Sequence, residues 1–227
     1  MGAVHFSIDL ELVRALRREL PLRTFVETGT FRGDTAVVAA QEFDQVTTIE
    51  LAAQLHARAV ARLAPYPNVT ARRGSSPDVL RELAPKLANE SVLYWLDAHW
   101  CGEATSGEKY ECPLQQELES IGTLNSTSVV LIDDARLFLA PPPLPHDETQ
   151  WPLLNEVVAQ LTTLNARHLL WILNDVLVFA PPAAREAVVE YSRNRSVAFY
   201  RPRRRSLMGS IGSRLRSVRG ALQRTAS

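Results

Sequence analysis

The chain contains few cysteines and no long apolar run. Only Cys101 and Cys112 occur in 227 residues, which is too few for a disulfide-built scaffold and predicts a reducing compartment. The longest apolar stretches are short ones such as Leu169–Leu173, whereas a membrane-spanning helix needs about 20 such residues. Acids at positions 9, 11 and 19 interrupt the first twenty residues, so no secretory signal is expected. The sequence therefore predicts a cytoplasmic protein without a transmembrane segment.

Charge is distributed unevenly along the chain, although the formal net charge is zero. Residues 193–227 contain ten arginines and no acid, while residues 1–192 carry 15 basic and 25 acidic side chains. Apolar residues recur at helical spacing among the tail arginines, as in a basic amphipathic segment. Such a tail can lie on an anionic membrane surface, pair with the acidic body of a second copy, or stay disordered. No specific nucleic-acid partner is expected.

Strand-like and helix-like segments alternate along the chain, which is typical of a parallel sheet covered by helices. We expect a leading helix within residues 1–20, capped by Ser7, then a domain over residues 21–192 and the basic tail over 193–227. Strands are predicted at residues 23–28, 46–50, 68–72, 92–97 and 128–133. Two later apolar runs, 169–173 and 176–179, flank Asn174-Asp175 and predict a hairpin. The predicted fold class is α/β, a doubly wound, mostly parallel sheet with an antiparallel edge hairpin.

Most of the predicted strands end in an acid, at the edge of the sheet where ligands of such folds bind. These strand-end residues are Glu27 before the turn of Gly29, Thr30 and Gly33, then Glu50, Ser75 with Ser76, Asp97, and Asp133 with Asp134. Phe31 replaces the middle glycine of a dinucleotide fingerprint, which argues against a nicotinamide or flavin dinucleotide. Glu50 follows Gly29 by 21 residues, the spacing at which a carboxylate binds ribose hydroxyls. We therefore expect a ligand that carries a nucleoside.

Together these residues resemble class I S-adenosylmethionine-dependent methyltransferases, most closely the metal-dependent macrocin-type sugar O-methyltransferases. The resemblance spans residues 24–135 and rests on residues 27–33, Glu50, the serine pair, Leu96-Asp97 and residues 131–134. It implies a Rossmann-like methyltransferase fold that binds S-adenosylmethionine. The implied cofactor-binding residues are Glu27, Gly29, Thr30 and Gly33 in the first turn, Glu50 on the ribose, Ser75 and Ser76 beside the adenine, and Asp97.

The same resemblance implies a divalent cation, magnesium or another, held by acids after the fourth and fifth strands. The family pattern after strand four is Asp, small residue, Asp, whereas this chain has Asp97-Ala98-His99. We therefore predict His99, Asp133 and Asp134 as metal ligands, and His99 with Asp97 as catalytic residues. A neutral imidazole can bind a metal or remove a hydroxyl proton near neutral pH. The structural alternatives are a histidine bonded to a backbone carbonyl and aspartates that cap a turn.

Cys101 and Cys112 flank a glycine- and acid-rich segment, residues 102–111, that is predicted to form a lid. With His99 the two thiols can bind zinc; they can also form a disulfide or remain reduced. The spacing does not choose among these three states.

The predicted function is methyl transfer from S-adenosylmethionine to a hydroxyl of a sugar, glycan or glycosylated natural product. Contacts to this acceptor are expected from the lid and from residues 140–150. Two alternatives are a metal-dependent oxidation or hydrolysis on the same scaffold, and a non-catalytic cofactor-binding module whose basic tail docks a partner.

Overall fold

The structure is a computed structural model that describes residues 8–100 and 110–200, with side chains described as far as Arg195. The chain divides into two units, Met1–Ser192 and Arg193–Ser227, and the fold given below is that of the first. Ser7, Cys101, the predicted lid up to residue 109, and the tail from residue 201 lie outside the described residues. Within those ranges, no helix is both long and apolar enough to cross a membrane.

Helices and strands alternate along the described chain. The strands are β1 (Thr24–Thr28), β2 (Gln45–Glu50), β3 (Val69–Arg73), β4 (Val92–Leu96), β5 (Val129–Ile132), β6 (Leu169–Leu173) and β7 (Val176–Ala180). The helices are α1 (Leu10–Glu19), α2 (Asp34–Glu42), α3 (Ala53–Leu63), α4 (Ser76–Leu87), α5 (Leu114–Ile121), α6 (Arg136–Leu139), α7 (Leu154–Leu164) and α8 (Arg185–Tyr200). Each strand predicted from the sequence is present, with both ends within one residue of the prediction.

The seven strands form one sheet in the order β3-β2-β1-β4-β5-β7-β6. Strands β1 to β5 are all parallel, and β7 runs antiparallel between β5 and β6. In the turn between β6 and β7, Asn174 and Asp175 both have positive φ, 50° and 70°, as a two-residue type I′ hairpin requires. The predicted fold class, a doubly wound and mostly parallel sheet with an antiparallel edge hairpin, is confirmed.

Helices cover both faces of the central strands. All five residues of β4 are buried, and its side chains alternate between two apolar layers. Leu93 and Trp95 pack with α1 and the first turns of α8, whereas Tyr94 and Leu96 pack with α4, α5 and α7. Because both faces are occupied, the ends of the strands are where polar side chains can gather.

The start of α1 and two of the helices differ from the prediction. Asp9 caps α1, its Oδ1 accepting a hydrogen bond from the backbone N–H of Glu11 at 2.9 Å, so the expected Ser7 cap is wrong. Asp9 immediately precedes the first helical residue, which is where a capping side chain can reach the free N–H groups. The prediction also omits α6 and α8. The four residues of α6 are too few to show a helical period.

Candidate active site

Five acids lie at the carboxyl edge of the parallel strands. Glu27 belongs to β1, Glu50 is the last residue of β2, Asp97 follows β4, and Asp133 with Asp134 follows β5. Leu96 of β4 pairs with Ile132 of β5, so the acids that follow these two strands leave the sheet side by side. The predicted strand-end acids therefore share one edge of the fold.

The turn between β1 and α2 separates Glu50 from Asp97. Gly29 has a φ of +83°, and a Cβ added to it would lie 2.1 Å from the carbonyl oxygen of Asp97; only glycine permits this approach. On the other side of the turn, the backbone N–H of Phe31 donates to Glu50 Oε2 at 2.8 Å. The other oxygen, Glu50 Oε1, accepts from the N–H of Ala52 at 2.8 Å. Two backbone donors thus fix the Glu50 carboxylate beside the turn.

The rest of this turn is held by its own backbone and by threonine hydroxyls. The N–H of Gly33, which precedes α2 with a φ of +77°, donates to the carbonyl of Thr30 at 2.7 Å. The Thr30 hydroxyl contacts the Thr48 hydroxyl at 2.6 Å, and Thr48 donates to Glu27 Oε2. The structure therefore links Glu27, Thr30 and β2 beneath the turn.

Glu27 is a carboxyl group in an almost completely buried position, 1% exposed. Burial raises its pKa to about 8, although hydrogen bonds from Thr48 and Thr35 act in the opposite direction. The nearby charges of Glu50 and Asp34 raise the pKa further. A cationic ligand group placed beside Glu27 would favour the ionised form and lower this pKa.

Because Glu27 is buried, we expect the protein to lose stability measurably as pH rises. Its folded-state pKa of about 8 lies above the ordinary value of 4.5, so between these values the native state binds more protons than the unfolded state and unfolding becomes easier at higher pH. We expect Glu27→Gln to weaken this dependence, because glutamine has no proton to lose. Urea titrations at pH 6 and pH 8 test this. If the free energy of unfolding changes equally between pH 6 and pH 8 in wild type and in Glu27→Gln, the prediction is contradicted.

The serine pair lies at the start of α4, where a further acid is also present. Ser75 precedes the helix and Ser76 is its first, buried residue. Glu117 of α5 hydrogen-bonds to Ser76 and to Thr28, and burial raises its pKa to about 7. Its Oε1 has no hydrogen-bond partner among the described residues. The sequence contained a signal for the burial of this acid, because Leu114, Leu118 and Ile121 are spaced as one apolar helical stripe and Glu117 lies on it. The structure shows all four residues buried.

His99, Asp97 and Asp134 form one group of ligand atoms. His99 Nε2 lies 3.8 Å from Asp97 Oδ1 and 3.8 Å from Asp134 Oδ2, and the three residues can each offer an atom within 4.8 Å of the others. His99 is buried, and its Nε2 has no hydrogen-bond partner among the described side chains and backbone. The ring also bonds to the backbone of Asp133, so Nδ1 makes that bond. In the neutral ring, Nε2 then carries the lone pair that a metal or a hydroxyl proton needs.

Asp133 does not belong to this group, so the grouping differs from the predicted ligands His99, Asp133 and Asp134. Its Oδ1 accepts the N–H of Asp134 at 2.8 Å, and the residue lines a small cavity with Asp9, Asn174 and Tyr191. Asp134 lies two residues beyond the end of β5 and has a left-handed φ of 54°. The turn after the strand therefore sets the direction of Asp134, whose Oδ2 faces His99 Nε2 at 3.8 Å.

The acids around His99 shift one another's pKa values. Burial raises the pKa of Asp97 well above its ordinary value, and the charges of Asp133 and Asp134 raise it further. Burial likewise raises the pKa of Asp133 to about 7, with Asp134 adding to the rise. For His99, burial lowers the pKa and the charge of Asp134 partly opposes this. The site is thus an acidic cluster around a neutral histidine, a setting that favours a bound cation.

Arg136 supplies positive charge at the border of the cluster. One of its guanidinium nitrogens donates to Asp134 Oδ1 at 2.6 Å and also to Asp175 Oδ2. The backbone N–H of Arg136 donates to Asp175 Oδ1 at 2.8 Å. One oxygen of Asp134 is therefore engaged with Arg136, and the other is left to face His99.

Aromatic and apolar side chains border the other side of His99. The rings of Phe138 and Trp151 lie 5.9 Å and 5.6 Å from the His99 ring, centroid to centroid. Exposed apolar side chains flank these two rings in sequence: Leu139 follows Phe138, and Leu153 lies two residues after Trp151. Sequence reasoning did not identify these residues, although it expected acceptor contacts from residues 140–150.

Cys112 is buried, and burial raises the pKa of its thiol to about 12. A thiol with this pKa is a poor nucleophile near neutral pH. Because Cys101 lies outside the described residues, the zinc, disulfide and reduced states remain predictions.

Comparisons with known proteins show similarity at the level of the fold. No protein-family model matches the chain, and no curated protein sequence matches it. Among solved structures, a precorrin-6y C5,15-methyltransferase from Geobacter metallireducens is 13% identical with a TM-score of 0.48, over 78% of this chain and 92% of that one. The sugar N-methyltransferase KedS8 from Streptoalloteichus is 13% identical with a TM-score of 0.47, over 75% and 85% of the two chains. Similarity of this degree does not indicate an activity, which must be inferred from the site.

Proposed function

We propose that the protein is an enzyme that transfers a methyl group from S-adenosylmethionine to a hydroxyl oxygen, assisted by a divalent cation. One observation carries the proposal. The Gly29 turn contacts Asp97 on one side and donates a hydrogen bond to Glu50 on the other. A ligand held by Glu50 and lying along this turn would therefore bring its far end to Asp97, His99 and Asp134.

The residues at this edge suit a ligand that is a nucleoside at one end and cationic at the other. Glu50 would hold the ribose hydroxyls, and Ser75 and Ser76 would border the base. Glu27 and the turn from Gly29 to Gly33 would receive the amino-acid end, whose positive charge matches acids that burial and mutual repulsion hold at raised pKa values. When bound, the cofactor supplies a methyl group on a positively charged sulfonium.

His99 and the two aspartates would prepare the acceptor. His99 is neutral near pH 7 because burial lowers its pKa, so Nε2 can take a hydroxyl proton or ligate a metal. One imidazole and two carboxylates form a donor set that suits divalent ions such as manganese, iron or zinc, and magnesium less strongly. An ion held there would lower the pKa of an acceptor hydroxyl. Asp97 and Asp134 would serve as its carboxylate ligands.

The acceptor in this proposal is a hydroxyl of a sugar, glycan or glycosylated natural product. Exposed apolar side chains that flank Phe138 and Trp151 in sequence, Leu139 and Leu153, favour a glycosylated natural product, which places an apolar body beside its sugar hydroxyls. A free glycan would leave these side chains in water.

Glu50→Ala is expected to weaken the binding of S-adenosylhomocysteine by about 1.5–3 kcal/mol, the scale of a lost hydrogen bond to a charged group. Titration calorimetry measures this. Glu82→Ala is the matched control, because Glu82 is an exposed acid on α4 that pairs with Arg72 of β3. Equal affinities for the two variants would contradict the role of Glu50.

Methyl transfer itself is tested with a methyl-labelled donor and a panel of alkyl glycosides and glycosylated macrolides. Label in a hydroxyl-derived methyl ether supports the proposal. Cofactor binding without transfer to any of these acceptors would favour a binding module, and oxidised or hydrolysed acceptor without label would favour the metal-dependent alternative.

A further inference from the structure

Glu111 is a buried acid in the segment before α5, and its carboxylate and backbone all engage other residues. It is 3% exposed. Its Oε2 accepts from Trp151 Nε1 at 2.8 Å and lies 3.0 Å from His146 Nδ1, and its Oε1 accepts from the N–H of Asp147 at 3.0 Å. Its backbone N–H donates to Gln150 Oε1 at 2.9 Å, and its carbonyl accepts from Trp100 at 2.8 Å.

These bonds join two stretches of chain that are distant in sequence. One is the pair Trp100 and Glu111, which flanks residues 101–110. The other is residues 146–151. A carboxylate is costly to bury unless its oxygens are hydrogen-bonded, and here the bonds from Trp151, Asp147 and His146 offset burial enough that the pKa of Glu111 lies below its ordinary value. Glu111 is thus held as an anion that fixes the Trp151 indole at its N–H.

Trp151 in turn contacts His99. The indole and imidazole rings meet edge to face, with centroids 5.6 Å apart and planes at 60°. Phe138 meets the same imidazole at 5.9 Å and 85°, and Phe138 and Trp151 also contact each other. The His99 ring therefore packs against an indole whose polar end is bonded to Glu111.

We propose that Glu111 is a positioning residue for His99, acting through Trp151. It keeps His99 Nε2 directed at Asp97 and Asp134. This inference rests on the proposed function, in which His99 is the base or metal ligand. Since partners behind a ligand commonly change metal affinity by about 10- to 100-fold, the loss of Glu111 should affect the site although Glu111 does not belong to the His99 group.

The test compares Glu111→Ala with wild type by three measurements on the whole chain. NMR of the histidine side chains, with His99 assigned by a His99→Gln variant, is expected to show a shifted His99 signal because the Trp151 ring moves. Mn²⁺ binding, followed by electron paramagnetic resonance, is expected to weaken about tenfold. The affinity for S-adenosylhomocysteine, measured by calorimetry, should change by less than about twofold, because Glu50 and the Gly29 turn are unaltered.

Glu156→Ala is the matched control. Glu156 accepts a hydrogen bond from the N–H of Leu153 at 2.8 Å, so its loss disturbs the same segment without removing a bond to Trp151. Trp151→Phe retains an aromatic ring beside His99 but lacks the N–H that donates a hydrogen bond to Glu111. This variant tests the same link to His99 if Glu111→Ala does not fold. The proposal is supported by a shifted His99 signal in Glu111→Ala, or by weaker Mn²⁺ binding in Trp151→Phe, provided that Glu156→Ala shows neither change. Folded variants with the wild-type His99 signal overturn it.

The two proposals fail in different ways. Wild-type protein that binds no Mn²⁺ would remove the ion from the proposed function, and the NMR comparison would still decide whether Glu111 positions His99. If wild-type protein binds Mn²⁺ and transfers methyl groups, and the His99 signal is the same in wild type and in Glu111→Ala, only the role of Glu111 is overturned.

Discussion

His99→Ala is expected to lower the rate of methyl transfer by about 10²- to 10⁴-fold, the range associated with a positioned acid or base. S-adenosylhomocysteine should still bind within about twofold of wild type, because in the proposed function Glu50 and the Gly29 turn would hold it independently of His99. Single-turnover kinetics with labelled donor and calorimetry with the product separate the two effects. Loss of cofactor affinity equal to the loss of rate would mean that His99 supports the fold of the site rather than its chemistry.

The pH dependence of the wild-type rate tests whether the neutral form of His99 is the active one. The neutral form of His99 is the one that can accept a proton or bind a metal, so the rate should rise with pH through the pKa of this residue. Because burial places that pKa below its ordinary value of 6.5, the rise should be complete by about pH 7. A rate that still climbs steeply above pH 7 would assign the titration to another group.

Chelation distinguishes the two roles that His99 can have. With a metal in the group, EDTA should abolish turnover and added Mn²⁺ or Mg²⁺ should restore it, while cofactor affinity stays constant. Asp134→Ala should then lose turnover as the wild-type enzyme does in EDTA. Full activity in EDTA would leave His99 as a general base without an ion.

Gly29→Ala is expected to destabilise the protein by about 3 kcal/mol or more, through backbone strain and overpacking together. The added Cβ would lie 2.1 Å from the Asp97 oxygen and 2.7 Å from its carbonyl carbon, at a φ of +83°. The turn must then move away from Asp97, so binding of S-adenosylhomocysteine should fall as well. Urea denaturation and calorimetry measure both changes.

Gly33→Ala is the control for this prediction. Gly33 also has a positive φ, +77°, but a Cβ there would lie 3.6 Å from the Leu63 side chain, an ordinary contact. It should cost only the backbone strain, about 1 kcal/mol. Equal destabilisation by the two variants would show that the close approach of Gly29 to Asp97 has no energetic importance.

The sequence predicted the sheet well because the signals for its strands are local. Apolar runs bounded by turn residues mark β1 to β5, and Asn174-Asp175 marks the hairpin that the structure shows with positive φ at both positions. Asp9 illustrates the limit of such signals. The sequence predicted Ser7 as the cap of α1, and the structure shows the Asp9 side chain accepting the Glu11 N–H instead.

By itself, the sequence determined that acids end the strands of a doubly wound sheet, since parallel strands in such a sheet deliver their last residues to one edge. It did not determine which acids face one another. Only the tertiary structure decided that Asp97 rather than Asp133 joins His99 and Asp134, and that Glu111, distant in sequence, is bonded to the tryptophan beside His99. The physical reason is that a strand-end side chain takes its direction from the pleat and from the turn that follows. Partners across loops, in contrast, are set by packing between segments that no local pattern connects.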